Sequence, residues 1–150
     1  MPNRSVHVVT SGALGALYAL HMSPSQPEAH RLLEVIGGGF GGCVGGRLPD
    51  VLEPATTPNH RGRAHSCAAA GTLLKLSNSK LRAWQQKCRD WADEFDRKRS
   101  TAPLGSVESV LLQVAALACR LFAGFLAGVL GGYVTHLALD ACTPSCISFV

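Results

Sequence analysis

Polar and apolar positions divide the chain into helical segments. Val6 to Met22 is apolar and small, with Val8, Val9, Ala13, Leu14, Ala16, Leu17, Ala19 and Leu20. It predicts a first helix with His7 at its start and His21 at its end, too far apart on a helix to share a metal. Ser23-Pro24-Ser25-Gln26-Pro27 is a turn. A second helix is predicted from near Pro27-Glu28-Ala29 through Leu32, Leu33, Val35 and Ile36, entering a glycine-rich stretch. Val51 to Pro58, with two prolines, reads as a loop, and His60 to Ser66 as a turn into a third helix, Ala64 to Leu76. From Lys75 to Arg99 the chain becomes polar, with Trp84, Trp91 and Phe95 on one stripe of an amphipathic helix. Ser100 to Gly105 is a linker, and Val107 to Ala141 is the longest apolar segment, interrupted by Glu108 and Arg120. No strand-like alternation and no internal repeat is present. The expectation is an all-α bundle of four or five helices. It forms a single domain over residues 1–150, with a charged amphipathic segment at 75–100 and apolar helices able to enter a membrane in part.

The glycines change this picture. Seven of the ten residues from Gly37 to Gly46 are glycine, and each costs roughly 1 kcal/mol against alanine inside a helix. A phosphate-cradling loop is excluded, because no GK[ST] follows and no β-branched strand precedes. Gly38, Gly42 and Gly46 are spaced by four, as are Gly124, Gly128 and Gly132. Such stripes let helix backbones approach closely, most often in lipid. Facing each other, they would bring Leu48-Pro49-Asp50 near His136.

Composition sharpens the class. The 150 residues suffice for one domain with a real core. The chain is 47% hydrophobic and 16% charged, with a mean hydropathy of +0.17, which is apolar for a soluble domain. Lys75 to Arg99 holds eight of the 14 Lys/Arg and four of the 10 Asp/Glu, and so the whole net charge of +4. That segment suits nucleic acid, anionic lipid headgroups or, most commonly, plain solvent. Leu121 to Leu139 lacks Asp, Glu, Lys and Arg, and its ~19 residues just suffice to span a bilayer. The six cysteines form no CxxC pair, against a zinc-finger or thioredoxin-type site. They read as buried small apolar residues in a reducing compartment. No small-residue cleavage site precedes the Ser23–Pro27 turn, so a signal peptide is not expected.

Two stretches carry candidate chemistry. In Gly131 to Pro144, His136 and Asp140 lie four apart, one turn from each other on the same helix face, where they can grip one divalent metal ion. Thr143-Pro144 then stops the helix. The plainer alternative is a core histidine and a hydrogen-bonding aspartate. The other stretch is Leu48-Pro49-Asp50, then Asn59-His60-Arg61-Gly62-Arg63-Ala64-His65-Ser66, where two histidines flank a glycine turn and an arginine. Imidazole and carboxylate are common ligands of zinc, manganese and iron.

These landmarks resemble the YdjM-type membrane-bound, metal-dependent hydrolases, whose pattern is an early histidine, LPDxD, HRGxTHS and GYxxHxxxDxxTPxG. Here His7 precedes the small apolar run. Leu48-Pro49-Asp50-Val51-Leu52, His60-Arg61-Gly62-Arg63-Ala64-His65-Ser66 and Gly132-Tyr133-Val134-Thr135-His136-Leu137-Ala138-Leu139-Asp140-Ala141-Cys142-Thr143-Pro144 follow in order over nearly the whole length. Leu52 stands in place of the second aspartate, with Glu53 next to it. Ala64 replaces a threonine and Cys146 a glycine. The resemblance implies a helical, membrane-associated hydrolase of poorly defined substrate, with members linked to DNA-damage-response regulation.

On this reading His7, Asp50, His60, His65, His136 and Asp140 are metal ligands, for zinc first and manganese or iron next. The reaction would be metal-assisted hydrolysis of an ester or phosphoester by an activated water. Asp50 and Arg61 are the catalytic candidates. Arg61 would face a phosphate or carboxylate oxygen, or else pair with Asp50 or Asp140. The expected location is the cytoplasmic side of the inner or plasma membrane, with a soluble cytoplasmic chain as runner-up. Partners would be membrane lipid and a small-molecule, lipid or phosphoester substrate. Two other classes compete: a non-catalytic membrane or interaction protein that keeps the metal as a structural clamp, and a nucleic-acid-associated regulatory factor acting through residues 75–99.

Overall fold

The computed structural model describes residues 4–52 and 67–141. They form five helices: α1 (Arg4–His21), α2 (Glu28–Gly45), α3 (Leu48–Leu52), α4 (Cys67–Thr101) and α5 (Val107–Ala141). No strand occurs among the described residues, so the protein is an all-α bundle. Two boundaries differ from the sequence reading. The polar segment is not separate from the helix before it, because nothing between Ala68 and Ser100 is proline and good helix formers bridge the two. Residues 48–52 are a short helix rather than the start of a loop, with Pro49 in its first turn, where a missing N–H costs nothing.

The glycine run remains helical because its backbone is packed rather than solvated. α2 and α5 run parallel, each contributing glycines where the other's backbone arrives. A Cβ placed on Gly37, Gly41 or Gly45 would lie 1.9–2.1 Å from the carbonyl oxygen of Leu121, Phe125 or Val129. One placed on Gly128 or Gly132 would lie 2.0–2.2 Å from that of Gly38 or Gly42. The expected meeting of the two stripes is therefore present, with a refinement. The side of Gly38, Gly42 and Gly46 that lacks a side chain faces α1, at Ala19, Gly12, Gly15 and Ser11, while Gly37, Gly41 and Gly45 turn toward α5. α2 thus sits between two helices, and only residues without Cβ permit both contacts.

α4 closes the other side of α5 as an antiparallel partner, joined through Gly105 at φ 76°, a conformation that favours glycine. Polar side chains pin this pairing. Gln85 Nε2 donates to the Ala123 carbonyl at 3.0 Å. Arg120, 2% exposed, donates to Asp93 and Asp96 of α4 at 2.8 and 2.9 Å. Arg89 reaches past α5 to the fully buried Glu34 of α2 at 2.8 and 2.6 Å, and to the Met22 carbonyl at the α1–α2 turn. Ala92, Ala116, Ala123 and Ala127 fill the space between.

The surface away from α4 is apolar. Leu32, Ile36, Phe40 and Val44 form an exposed row along α2. Val107, Val110, Leu111, Val114 and Leu117 do the same on the first half of α5, turned away from the buried Ala116, Arg120 and Ala123. By length and composition α5 can cross a membrane.

Candidate metal centre

Four side chains from three helices meet where α5 and α2 end and α1 begins. His136 and Asp140 come from the end of α5, one helical turn apart as their spacing predicts. His7 comes from the first turns of α1, which the Gly12, Gly15 and Ser11 contacts hold against α2. Asp50 comes from α3, brought there by the close approach of α2 to α5. His136 is 1% exposed, Asp140 5% and His7 7%, whereas the Asp50 side chain is 57% exposed.

The distances are those of ligands around a shared centre. His136 Nε2 lies 3.4 Å from Asp140 Oδ2 and 3.5 Å from Asp50 Oδ1. His7 Nε2 lies 3.7 Å from Asp140 Oδ1, and the two imidazole rings lie tilted at 34° to each other with centroids 4.5 Å apart. One donor atom each from His7, His136 and Asp140 falls within 4.8 Å of the others. In a tetrahedral site with bonds of about 2.0–2.2 Å, ligand atoms are separated by roughly 3.3–3.5 Å. Two imidazoles and a carboxylate at this spacing could hold a divalent ion.

The protonation of His136 points the same way. Its Nδ1 lies 2.6 Å from the carbonyl oxygen of Gly46, which can only accept, so Nδ1 carries the hydrogen. In the neutral ring Nε2 then directs a lone pair between two carboxylates, which is repulsive unless a cation or a proton lies there. Metal-binding histidines commonly donate their other N–H to a backbone carbonyl in this manner. Burial disfavours a charged His136, but the Asp140 hydrogen bond, the Asp50 and Asp140 charges and the Gly46 carbonyl outweigh it and hold its pKa above the ordinary value. A proton and a metal ion therefore compete for one position. Asp140 also stands in the last turn of α5, where no basic side chain offsets the negative end of the helix dipole.

The structure brings together His7, Asp50, His136 and Asp140 from the expected ligand set. His60, Arg61 and His65 lie outside the described residues. Sequence reasoning missed the Gly46 carbonyl, since a backbone acceptor leaves no mark in side-chain pattern. Arg47, exposed just past the end of α2, lines a groove of about 270 Å³ with Val8, Cys43, Val44, Leu48 and Val51. No known family, no curated protein and no solved structure matches the chain.

Proposed function

We propose that the chain is a membrane-associated, metal-dependent hydrolase acting on an ester or phosphoester. The observation that carries this reading is the His136 ring, oriented by Gly46 and presenting Nε2 to Asp50 and Asp140 beside His7. A divalent ion held there supplies Lewis acidity, which at such sites brings the pKa of water to about 7 and polarises the scissile bond. The chain's own residues do the rest. His7, His136 and Asp140 fix the position from buried, well-packed helices. Asp50, the one exposed member, is placed to accept a proton at its carboxylate. Arg61 remains the proposed partner for substrate oxygen. The apolar α5 and the exposed rows on α2 and α5 support membrane association.

Metal analysis of the purified chain beside His136→Ala tests this directly. Wild type should retain about one equivalent of zinc, manganese or iron and the variant little, with hydrolysis of a phosphodiester or ester panel following metal content. Equal metal in both proteins would overturn the assignment.

A second reading has its own observation. Three of the four ligands are buried, as in a structural site closed by protein. As a clamp, the ion would tie α1 to α5, and Asp50→Ala would lower thermal stability without any activity to lose. As a catalyst, the same change abolishes hydrolysis and leaves the fold intact.

A further inference from the structure

We propose that the cleft between the α1–α2 turn and α4 is a second binding site, which takes the phosphate group of a phosphoester. The cleft has a volume of about 600 Å³. His21 and Ser25 line it from the turn, and Arg82, Gln85 and Arg89 from α4. The three α4 residues lie three and seven apart, so they share one helix face.

Its walls are rich in donors that the fold leaves unused. Arg89 is 8% exposed and held in one orientation by Glu34. Its Nε and Nη2 are spent on Glu34 and the Met22 carbonyl. Nη1 donates to none of the described residues and is not sealed from solvent. Gln85, 1% exposed, gives Nε2 to the Ala123 carbonyl, so its Oε1 is the atom left to accept from a ligand hydroxyl. Arg82 is exposed and makes no ion pair or hydrogen bond among the described residues. The imidazole of His21 and the hydroxyl of Ser25 make no hydrogen bond among them either.

Charge then selects the ligand. No Asp or Glu lines the cleft. The Arg89 charge is balanced by Glu34, whereas that of Arg82 is balanced by nothing nearby. Donors stand on two walls, the turn and α4, and a tetrahedral phosphate presents oxygens to both. A planar carboxylate presents two oxygens in one plane. Guanidinium forks are suited to phosphate. A cleft of this volume is of the size that holds a small organic ligand, so it has room for the esterified remainder, against Met22 and Pro24.

The site is separate from the metal centre and does not rest on that assignment. His21 lies fourteen residues beyond His7 on α1, roughly 21 Å along a straight helix. A phosphoester bound here is therefore an effector or an anchor and not the group being hydrolysed. It would bridge the α1–α2 turn to α4, beside the Arg89–Glu34 pair.

The test is titration calorimetry of the full chain with glycerol 3-phosphate at fixed ionic strength. Wild type should show one saturable site. Arg82→Gln should weaken it at least about tenfold with an unchanged helical spectrum, since Arg82 holds no other element in place. Lys87→Gln removes the same charge from α4 outside the cleft and should change affinity less than about twofold. A parallel arm uses phosphatidylcholine vesicles with and without phosphatidic acid. Flotation that needs phosphatidic acid and Arg82, without binding of glycerol 3-phosphate, would support the cleft with a lipid headgroup as its phosphoester. Equal weakening by both variants would mean general charge attraction. Binding that neither variant weakens would place the phosphate elsewhere, the metal centre included. Either result, or no binding in both arms, overturns the proposal.

Discussion

Glu34 has no solvent exposure and Arg89 is 8% exposed, yet the two carry opposite charges at the centre of the fold. The pair is bidentate, with Arg89 also satisfying the Met22 carbonyl. Removing one member leaves an uncompensated buried charge. Arg89→Ala should therefore cost about 3–5 kcal/mol in denaturant unfolding. Glu34→Leu combined with Arg89→Met should recover most of that loss. A cost below about 1 kcal/mol for the single change would mean that water reaches Glu34. Sequence inspection could not pair these residues, because they lie 55 positions apart and neither belongs to a motif. His136 and Asp140 were legible for the opposite reason: a four-residue spacing on one helix fixes their geometry locally. Asp50 is legible in the Leu48-Pro49-Asp50 stretch and in the family pattern, with the glycine packing argument bringing it near His136, and His7 through the family resemblance.

Between elements, the absence of Cβ atoms decides the architecture. Gly128→Leu places side-chain atoms where the Gly38 carbonyl already sits, 2.0 Å from an added Cβ. It should separate α2 from α5, lower the unfolding midpoint sharply and reduce metal content, because Asp50 arrives at His136 only through that contact. Gly71 is the control. It lies within α4 with nothing inside 4 Å of an added Cβ, so Gly71→Ala should stabilise by about 0.5–1 kcal/mol. Equal effects at the two positions would refute the packing account. The spacing by four was visible in sequence, and so was the facing of the two helices. The division of labour inside the run was not, since Gly37, Gly41 and Gly45 share the same period as Gly38, Gly42 and Gly46. Only the third helix distinguishes the two registers. The continuity of α4 across Lys75 is not legible in the sequence, because composition changes there while the helix does not.

At the scale of the whole molecule, the candidate metal centre and the α4–α5 polar contacts belong to different parts of the bundle, so chelation tests the first without touching the second. Removing the ion from a clamp should lower stability by several kcal/mol, with a midpoint that depends on free metal concentration. Removing it from a catalyst should leave thermal unfolding nearly unchanged and abolish turnover. In either case the Arg120 contacts with Asp93 and Asp96 remain, and vesicle binding should persist in chelator. The hydrogen bond from His136 to Gly46 bears on assembly as well as on chemistry. It closes a loop of 90 residues, an entropic cost of about 4 kcal/mol plus a constant, whereas α4 and α5 fold back across a short link. Local contacts form early and distant ones late. By the same argument the α1–α2 and α4–α5 hairpins, each joined by a short link, form before the contact between Gly46 and His136. Refolding in the presence of zinc should accordingly show helix signal before any metal uptake, and simultaneous signals would refute this order.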